Sequence, residues 1–284
     1  MKRNYLKKMK LYRNKKLRKF VIPILKKLNL GNIYIKHHYT GSKFKVDAFI
    51  HKGYWYHGKN REKSLMDFFT TFIKEGDTVF ELGAHIGYIS LYYSKLVGAA
   101  GKVYVFEPGA NNLDYTRVNI ENSKIKNIEL VEKAVSDANG TATFYLENIT
   151  GQSNSLVKDY RVTKKIEAKT FVGLEKNAVQ VETIRLDDFV KQRNINRIDF
   201  IKIDIEGAEY MAIQGMPYIL DQLKPAMMIE VSENHEPLFN LLKQKGYVVI
   251  DEEHNRVTEQ KAFYGNLFFV HESNKDLVAK ALTK

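Results

Sequence analysis

The 284-residue sequence predicts an α/β fold, a doubly wound and mainly parallel sheet of seven strands preceded by a small β-rich lead-in and a basic N-terminal helix. Three observations carry this reading. From residue 78 onward, apolar runs of strand length alternate with segments of helical periodicity, the pattern of parallel strands joined by covering helices. Two of these strands end in an acidic residue beside a glycine or proline turn, where open α/β sheets bind ligands. Hydrophobic residues make up 44% of the chain, which excludes disorder throughout.

Residues 1–30 stand apart by charge. The chain holds 45 Lys and Arg against 33 Asp and Glu, a formal net charge of +12. Residues 1–30 contain twelve basic residues and no acidic one, so the remainder is electroneutral at 33 against 33. Leu17, Val21, Ile24 and Leu28 recur at helical spacing and form one apolar face of a basic amphipathic helix that Pro23 kinks or divides. The longest apolar stretch, residues 20–25, is too short for a signal peptide or a membrane span. Such a helix suits docking on the protein's own body or peripheral contact with an anionic membrane, where each cation contributes about 1 kcal/mol. The electroneutral body offers no second basic patch to continue a nucleic-acid site. The absence of cysteine excludes disulfide frameworks, zinc ribbons and thiolate catalysis, and is compatible with a cytoplasmic location.

Residues 31–60 form the lead-in. Residues 33–35 and 44–50 read as strands, followed by the cluster Gly53-Tyr54-Trp55-Tyr56, whose rings suit stacking on a sugar or anchoring the lead-in to the sheet. In residues 61–284 a helix opens on Leu65, Phe68, Phe69 and Phe72 and ends at Glu75-Gly76-Asp77. Strands are expected at 78–82, 102–106, 128–131, 200–203, 227–231, 247–250 and 266–270. Helices are expected at 88–97, 111–122, 186–193, 208–215, 237–245 and 274–282. Residues 140–181 break the alternation and read as an inserted pair of strands with a mobile loop around Gly151-Gln152-Ser153-Asn154-Ser155, whose side chains suit an acceptor or plain solvent.

The sharpest motif is Val79-Phe80-Glu81-Leu82-Gly83-Ala84-His85-Ile86-Gly87-Tyr88, an apolar strand that ends in an acid and passes through two glycines into a helix. Without a Cβ, Gly83 lets the chain turn tightly and Gly87 lets a ligand or neighbouring backbone approach. The E-x-G-x-x-x-G spacing differs from the dinucleotide fingerprint and points away from hydride transfer. Twenty-odd residues later, Val103-Tyr104-Val105-Phe106-Glu107-Pro108 supplies a second strand-end carboxylate, placed to bind a ribose diol. A nucleoside with a cationic tail is therefore expected, with Glu81 attracting the tail.

With these segments the chain resembles the S-adenosylmethionine-dependent methyltransferases of the FkbM type. The resemblance spans about residues 53–270 and includes the Glu81–Gly87 segment, Phe106-Glu107-Pro108 with Asn119, and Ala134-Val135-Ser136-Asp137. It continues through residues 181–189, Ile201-Lys202-Ile203-Asp204-Ile205-Glu206-Gly207-Ala208-Glu209 and Ile229-Glu230-Val231. It implies a Rossmann-like class I sheet with one antiparallel strand near its end, S-adenosyl-L-methionine as cofactor, and methyl transfer to oxygen, typically a hydroxyl of a saccharide or glycolipid, less often of a macrolide. It places Glu81, Gly83 and Gly87 around the methionine portion, with Ala84 and His85 in the same turn. It puts Glu107 on the ribose, Ser136 or Asp137 near the adenine, and Asp204 close to the sulfonium.

Methyl transfer from a sulfonium is an in-line displacement, in which alignment alone contributes about 7–11 kcal/mol. A sugar hydroxyl must also lose its proton, so a carboxylate or histidine is expected near the fourth and fifth strand ends. Lys202, Asp204 and Glu206 share one side of the chain if strand geometry persists, either as catalytic groups or as an ion pair. His235, after the fifth strand, is the first candidate for general base because imidazole titrates near neutrality, with capping of the next helix as the alternative. Asp204, Glu206, Glu209, Glu230 and His235 lack a distinguishing metal-ligand spacing, so no metal is assigned. Two competing functions are a nucleic-acid methyltransferase using the basic arm and a non-catalytic, membrane-associated scaffold.

Overall fold

The computed structural model describes residues 28, 30–147, 151–158, 176–231, 235–258 and 265–283, so the expected N-terminal helix lies almost wholly outside the described residues. The lead-in begins with a hairpin, β1 (Asn32–Lys36) antiparallel to β2 (Lys43–Asp47). The second strand was expected to run to residue 50, but Asp47 ends it. Its carboxylate accepts the N–H groups of Phe49 at 2.8 Å and Ile50 at 2.7 Å, an Asx-type turn that competes with strand pairing. The aromatic cluster then forms a short helix, α1 (Lys52–His57), rather than further β structure. Tyr54 is its buried face, while Trp55 and Tyr56 are exposed. Helix α2 (Lys63–Phe72) follows and buries the expected Leu65, Phe68, Phe69 and Phe72, together with Met66.

The main alternation is β3 (Thr78–Leu82), α3 (Tyr88–Val97), β4 (Lys102–Phe106), α4 (Ala110–Glu121) and β5 (Ile128–Val131). After an insertion it resumes with α5 (Leu186–Gln192), β9 (Phe200–Ile203), α6 (Glu209–Gln214) and β10 (Ala226–Val231). It closes with α7 (His235–Gln244), β11 (Tyr247–Asp251), β12 (Gly265–His271) and α8 (Lys275–Ala281). The seven strands are ordered β11-β12-β10-β9-β3-β4-β5. Strand β12 runs antiparallel to β10 and β11, and the remaining neighbours are parallel. This is the doubly wound sheet that the sequence predicts, with the one reversed strand that the resemblance implies.

Alternate side chains build two cores, one on each face. Phe80, Leu82, Ile201, Ile203, Met227 and Ile229 pack towards α5, α6 and α7. Val79, Phe200, Met228 and Phe268 pack towards the lead-in, α2, α3 and α8. On that second face the same alternation delivers Glu81, Lys202 and Glu230 near the carboxyl ends of three adjacent strands.

The insertion forms a separate sheet, β6 (Ala134–Val135), β8 (Lys176–Ile184) and β7 (Gly140–Glu147) in that order, and the expected pair of strands, β7 and β8, is antiparallel. The polar run 151–155 is not the solvated loop it resembles. Ser153, Asn154 and Ser155 are buried, because the chain folds back onto β7 through paired backbone bonds between Tyr145 and Ser155. Asn154 accepts the Glu147 N–H at 2.8 Å and the Glu147 carboxylate accepts the Gly151 N–H at 3.0 Å, so the polar groups satisfy one another. Among the described residues no helix is long and apolar enough to cross a membrane.

Asn119 fastens the lead-in to this frame. Fully buried on α4, it accepts the Lys45 N–H at 2.6 Å and donates to the carbonyls of Lys45 at 3.1 Å and Ile86 at 2.8 Å. Asn119→Ala leaves those three backbone groups unpaired and is expected to lower stability by about 2–4 kcal/mol, read from the denaturant midpoint. A change within experimental error would show that the hairpin is held by its apolar contacts alone.

Candidate functional site

Where β3, β4, β9 and β10 end, their turns enclose a cavity of about 280 Å³. Gly83 lets the turns after β3 and β9 approach each other closely: it sits at φ +82°, and a Cβ there would lie 1.9 Å from the carbonyl oxygen of Asp204. No side chain fits, and the left-handed backbone disfavours one as well. The following His85 is also left-handed, at φ 52°, without being glycine. Its N–H donates to Glu107 at 2.8 Å, its carbonyl accepts the Thr116 hydroxyl, and its ring meets the Tyr54 hydroxyl at 3.1 Å. These contacts hold a backbone conformation that the residue alone would not adopt.

Glu107 stands at the end of β4 with both carboxylate oxygens anchored. Besides His85, it accepts the Gly109 N–H at 2.9 Å and the Asn112 amide at 3.3 Å. Burial nevertheless pushes it up to about 7, those donors only partly compensating. Glu81 is likewise pushed up to about 7 by burial, against the pull of Lys202 and of the Ser90 hydroxyl at 2.5 Å. Lys202 is buried directly opposite Glu81 in the parallel register, and its ammonium binds Asp204 at 2.8 Å. Burial opposes charge on Asp204, but Lys202 and a hydrogen bond from Glu230 hold it below the usual carboxylate range. Glu230 is pushed up to about 9, first by the charge of Asp204 and then by burial.

Of the residues singled out from sequence, Tyr54, Glu81, Gly83, Ala84, His85, Glu107, Gln152, Asn154, Lys202, Asp204, Glu206 and Glu230 line this cavity. Strand β9 ends at Ile203 as expected, and the strand geometry that would put Lys202, Asp204 and Glu206 on one side does not persist, because Glu206 turns left-handed at φ 56°. Glu209 holds that turn from behind, its carboxylate accepting the N–H groups of Gly207 at 2.9 Å and Ile205 at 3.3 Å. Gly87 is outside the lining; it precedes α3 at φ 81° with the Thr116 side chain packed against it. Ser136 and Asp137 are outside as well. Strand β6 pairs with β8 and draws the chain away after Val135, with the Ser136 N–H on the Ile184 carbonyl and its hydroxyl on Asp137. Lys133, Ala134 and Val135 form the wall instead. His235 begins α7, and its side chain lies outside the described residues.

Sequence reasoning missed Arg61, Tyr88, Asn112, Phe144 and Leu156, all of which line the cavity. Asn112 had a local signal, lying in the first turn of the helix that follows Glu107. Arg61 had none: its guanidinium lies 4.4 Å from the Tyr54 ring centroid, beside Gly53, and pairs with Glu62 at 3.1 Å.

The raised carboxyls set a pH dependence. Glu81, Glu107 and Glu209, each pushed up to about 7 chiefly by burial, and Glu230, near 9, keep protons that the unfolded chain has already released above pH 4.5. Where the folded state binds more protons, stability falls as pH rises. The buried imidazoles of His37 and His51, lowered to about 4 by burial, act in the opposite sense, but only below about 6.5. The melting temperature of the ligand-free protein is therefore expected to fall from pH 6.5 to 8, and Glu81→Gln to reduce the fall. A rise over that interval in thermal scans would contradict the assignment.

The Methyltransferase FkbM domain matches residues 81–249, more than half of the chain. Methyltransferase 1 of Beauveria bassiana is 24% identical over 187 residues, 60% of this chain and 72% of that protein. The 31-O-demethyl-FK506 methyltransferase FkbM of Streptomyces tacrolimicus is 25% identical over 203 residues, covering 64% and 76%. The 2-O-methyltransferase NoeI of Sinorhizobium fredii is 27% identical over 148 residues, covering 50% and 58%. The matched span begins at Glu81, the first cavity carboxylate on the sheet, and runs through every strand end that builds the cavity. By that match the chain belongs to the FkbM family of S-adenosylmethionine-dependent methyltransferases.

Proposed function

We propose that the protein transfers a methyl group from S-adenosylmethionine to a hydroxyl of a saccharide or glycolipid. The observation that carries this is the charge of the cavity: Glu62, Glu81, Glu107, Asp204, Glu206 and Glu230 line it, against Arg61, Lys133 and Lys202. A partly enclosed site with that excess of carboxyls favours a cationic ligand, since charges interact more strongly away from bulk water. S-adenosylmethionine, when bound, supplies a methyl group carried on a sulfonium cation.

The chain's own residues suit the rest of that ligand. Glu107, already oriented by three donors, is placed to accept the ribose hydroxyls. Phe144, Leu156 and Val135 give the apolar flank an adenine ring needs, and the Gly83 turn lets the methionine portion lie close to backbone. Asp204 and Glu230, which line the cavity, and His235 at the start of α7 are the candidates to take the proton of an acceptor. Two relatives carry names as oxygen methyltransferases. The exposed rings of Trp55 and Tyr56, on the same short helix as the cavity residue Tyr54, favour a sugar as the acceptor.

Calorimetric titration with S-adenosylmethionine and S-adenosylhomocysteine tests the cofactor. Micromolar binding, about 8 kcal/mol, is expected, and Glu107→Ala is expected to abolish it while circular dichroism shows a folded chain. Saccharides and glycolipids are then screened for a gain of one methyl by mass spectrometry. A folded protein that binds neither ligand would refute the reading.

A further inference from the structure

The far wall of the cavity holds a group of charges that requires a proton. Strands β9 and β10 pair Met228 with Lys202 and Ile229 with Ile203, and one residue further this register brings Glu230 beside Asp204. Both line the cavity, and their carboxyls are hydrogen-bonded to each other. Two ionised carboxylates only accept, so one of the pair must carry a hydrogen. Lys202 binds Asp204 and faces Glu81 across β3 and β9, so one ammonium serves carboxyls from three adjacent strands. Glu206, from the turn after β9, adds negative charge beside Glu230, and His85 faces Asp204 from the β3–α3 turn. Across β12 the neighbour of Glu230 is the neutral Asn266, whose amide is bonded to Glu252 at 2.6 Å. Carboxyls so placed do not both ionise until a further positive charge arrives.

We propose, on the basis of the cofactor reading above, that Asp204 and Glu230 form the proton store of the methyl transfer. The pair holds one proton in the ligand-free protein, releases it when a sulfonium enters the cavity, and takes one back from the acceptor hydroxyl. In the transfer the acceptor oxygen bonds to the methyl carbon, the sulfur–carbon bond breaks with its electron pair left on sulfur, and the hydroxyl proton passes to the pair. Charge is conserved in the site. A sulfonium facing two carboxylates becomes a neutral thioether facing one carboxylate and one carboxylic acid. Lys202 holds Asp204 ionised, so the stored proton rests on Glu230. Asp204 then accepts a hydrogen bond from it and keeps its position.

The test is proton counting by calorimetry on the full chain at pH 8, in buffers of different ionisation enthalpy, with S-adenosylmethionine and S-adenosylhomocysteine as probes. At that pH Glu81 and Glu107, near 7, are already largely ionised, whereas Glu230, near 9, is not. Glu230→Gln mimics the protonated carboxyl in shape and donor capacity, and Asp204→Asn serves as the second variant. Titration of the ligands' own groups is common to all the proteins and cancels between them. The expected result is that wild type releases about one proton more than either variant on binding S-adenosylmethionine, and no more than they do on binding S-adenosylhomocysteine. Equal release by wild type and both variants overturns the inference while leaving the cofactor reading intact. So does a proton release that persists in both variants and disappears in His235→Asn, which would assign the proton to the histidine. Failure of wild type to bind either probe overturns both the cofactor reading and the inference.

Discussion

The cavity is organised around Lys202, a cation buried in the second strand of a four-strand row and bound by Asp204 just past the end of that strand. An ammonium in that position is strongly unfavourable unless carboxylates surround it, and removing one partner of such a buried pair is more damaging than never having had it. The parallel register supplies Glu81 directly across β3, and the end of β10 supplies Glu230. Because the three carboxyls exceed the one ammonium, the strand ends keep surplus negative charge facing the cavity. A purely apolar row would have stabilised the sheet better and left nothing there to hold a cation.

That charge cluster needs a floor and a side wall. The wall on one side is the lead-in, which packs His37, Phe44 and Tyr54 around Tyr88 at the start of α3. Asn119 ties the hairpin to the β3–α3 turn through Ile86, so the position of Tyr54 and the left-handed backbone at His85 depend on one another. The opposite wall is the insertion, whose buried run from Ser153 to Ser155 reaches back to the cavity: the Ser155 hydroxyl donates to the Glu206 carbonyl at 2.6 Å. Segments far apart in the chain thereby share responsibility for the turn after β9.

Most of the sheet was legible because parallel strands buried on both faces are continuous apolar runs, and their ends are marked by charge and glycine. Glu81, Gly83, Glu107 and Asp204 were visible for the same reason. Two kinds of feature were not. One arises from local side-chain bonds that compete with a strand, as the Asp47 carboxylate does in ending β2 with the turn through Phe49 and Ile50. The other arises from contacts between segments. Nothing in the polar composition of residues 151–155 shows that they fold back onto β7, and nothing near Ser136 shows that β8 draws it from the wall. The pairing of Glu230 with Asp204 needs the register of β9 against β10, which a sequence of strands does not contain.

The same burial that makes this site costly makes it selective. Carboxyls raised towards neutrality are destabilising to the empty fold above that pH, because each must either keep a proton or ionise with little water. A ligand bearing positive charge removes that conflict, whereas its neutral thioether counterpart does not, although the two differ by a single methyl. Discrimination between them then requires no contact with the methyl group itself. On the cofactor reading proposed above, it would follow from the excess of carboxyls over Lys202.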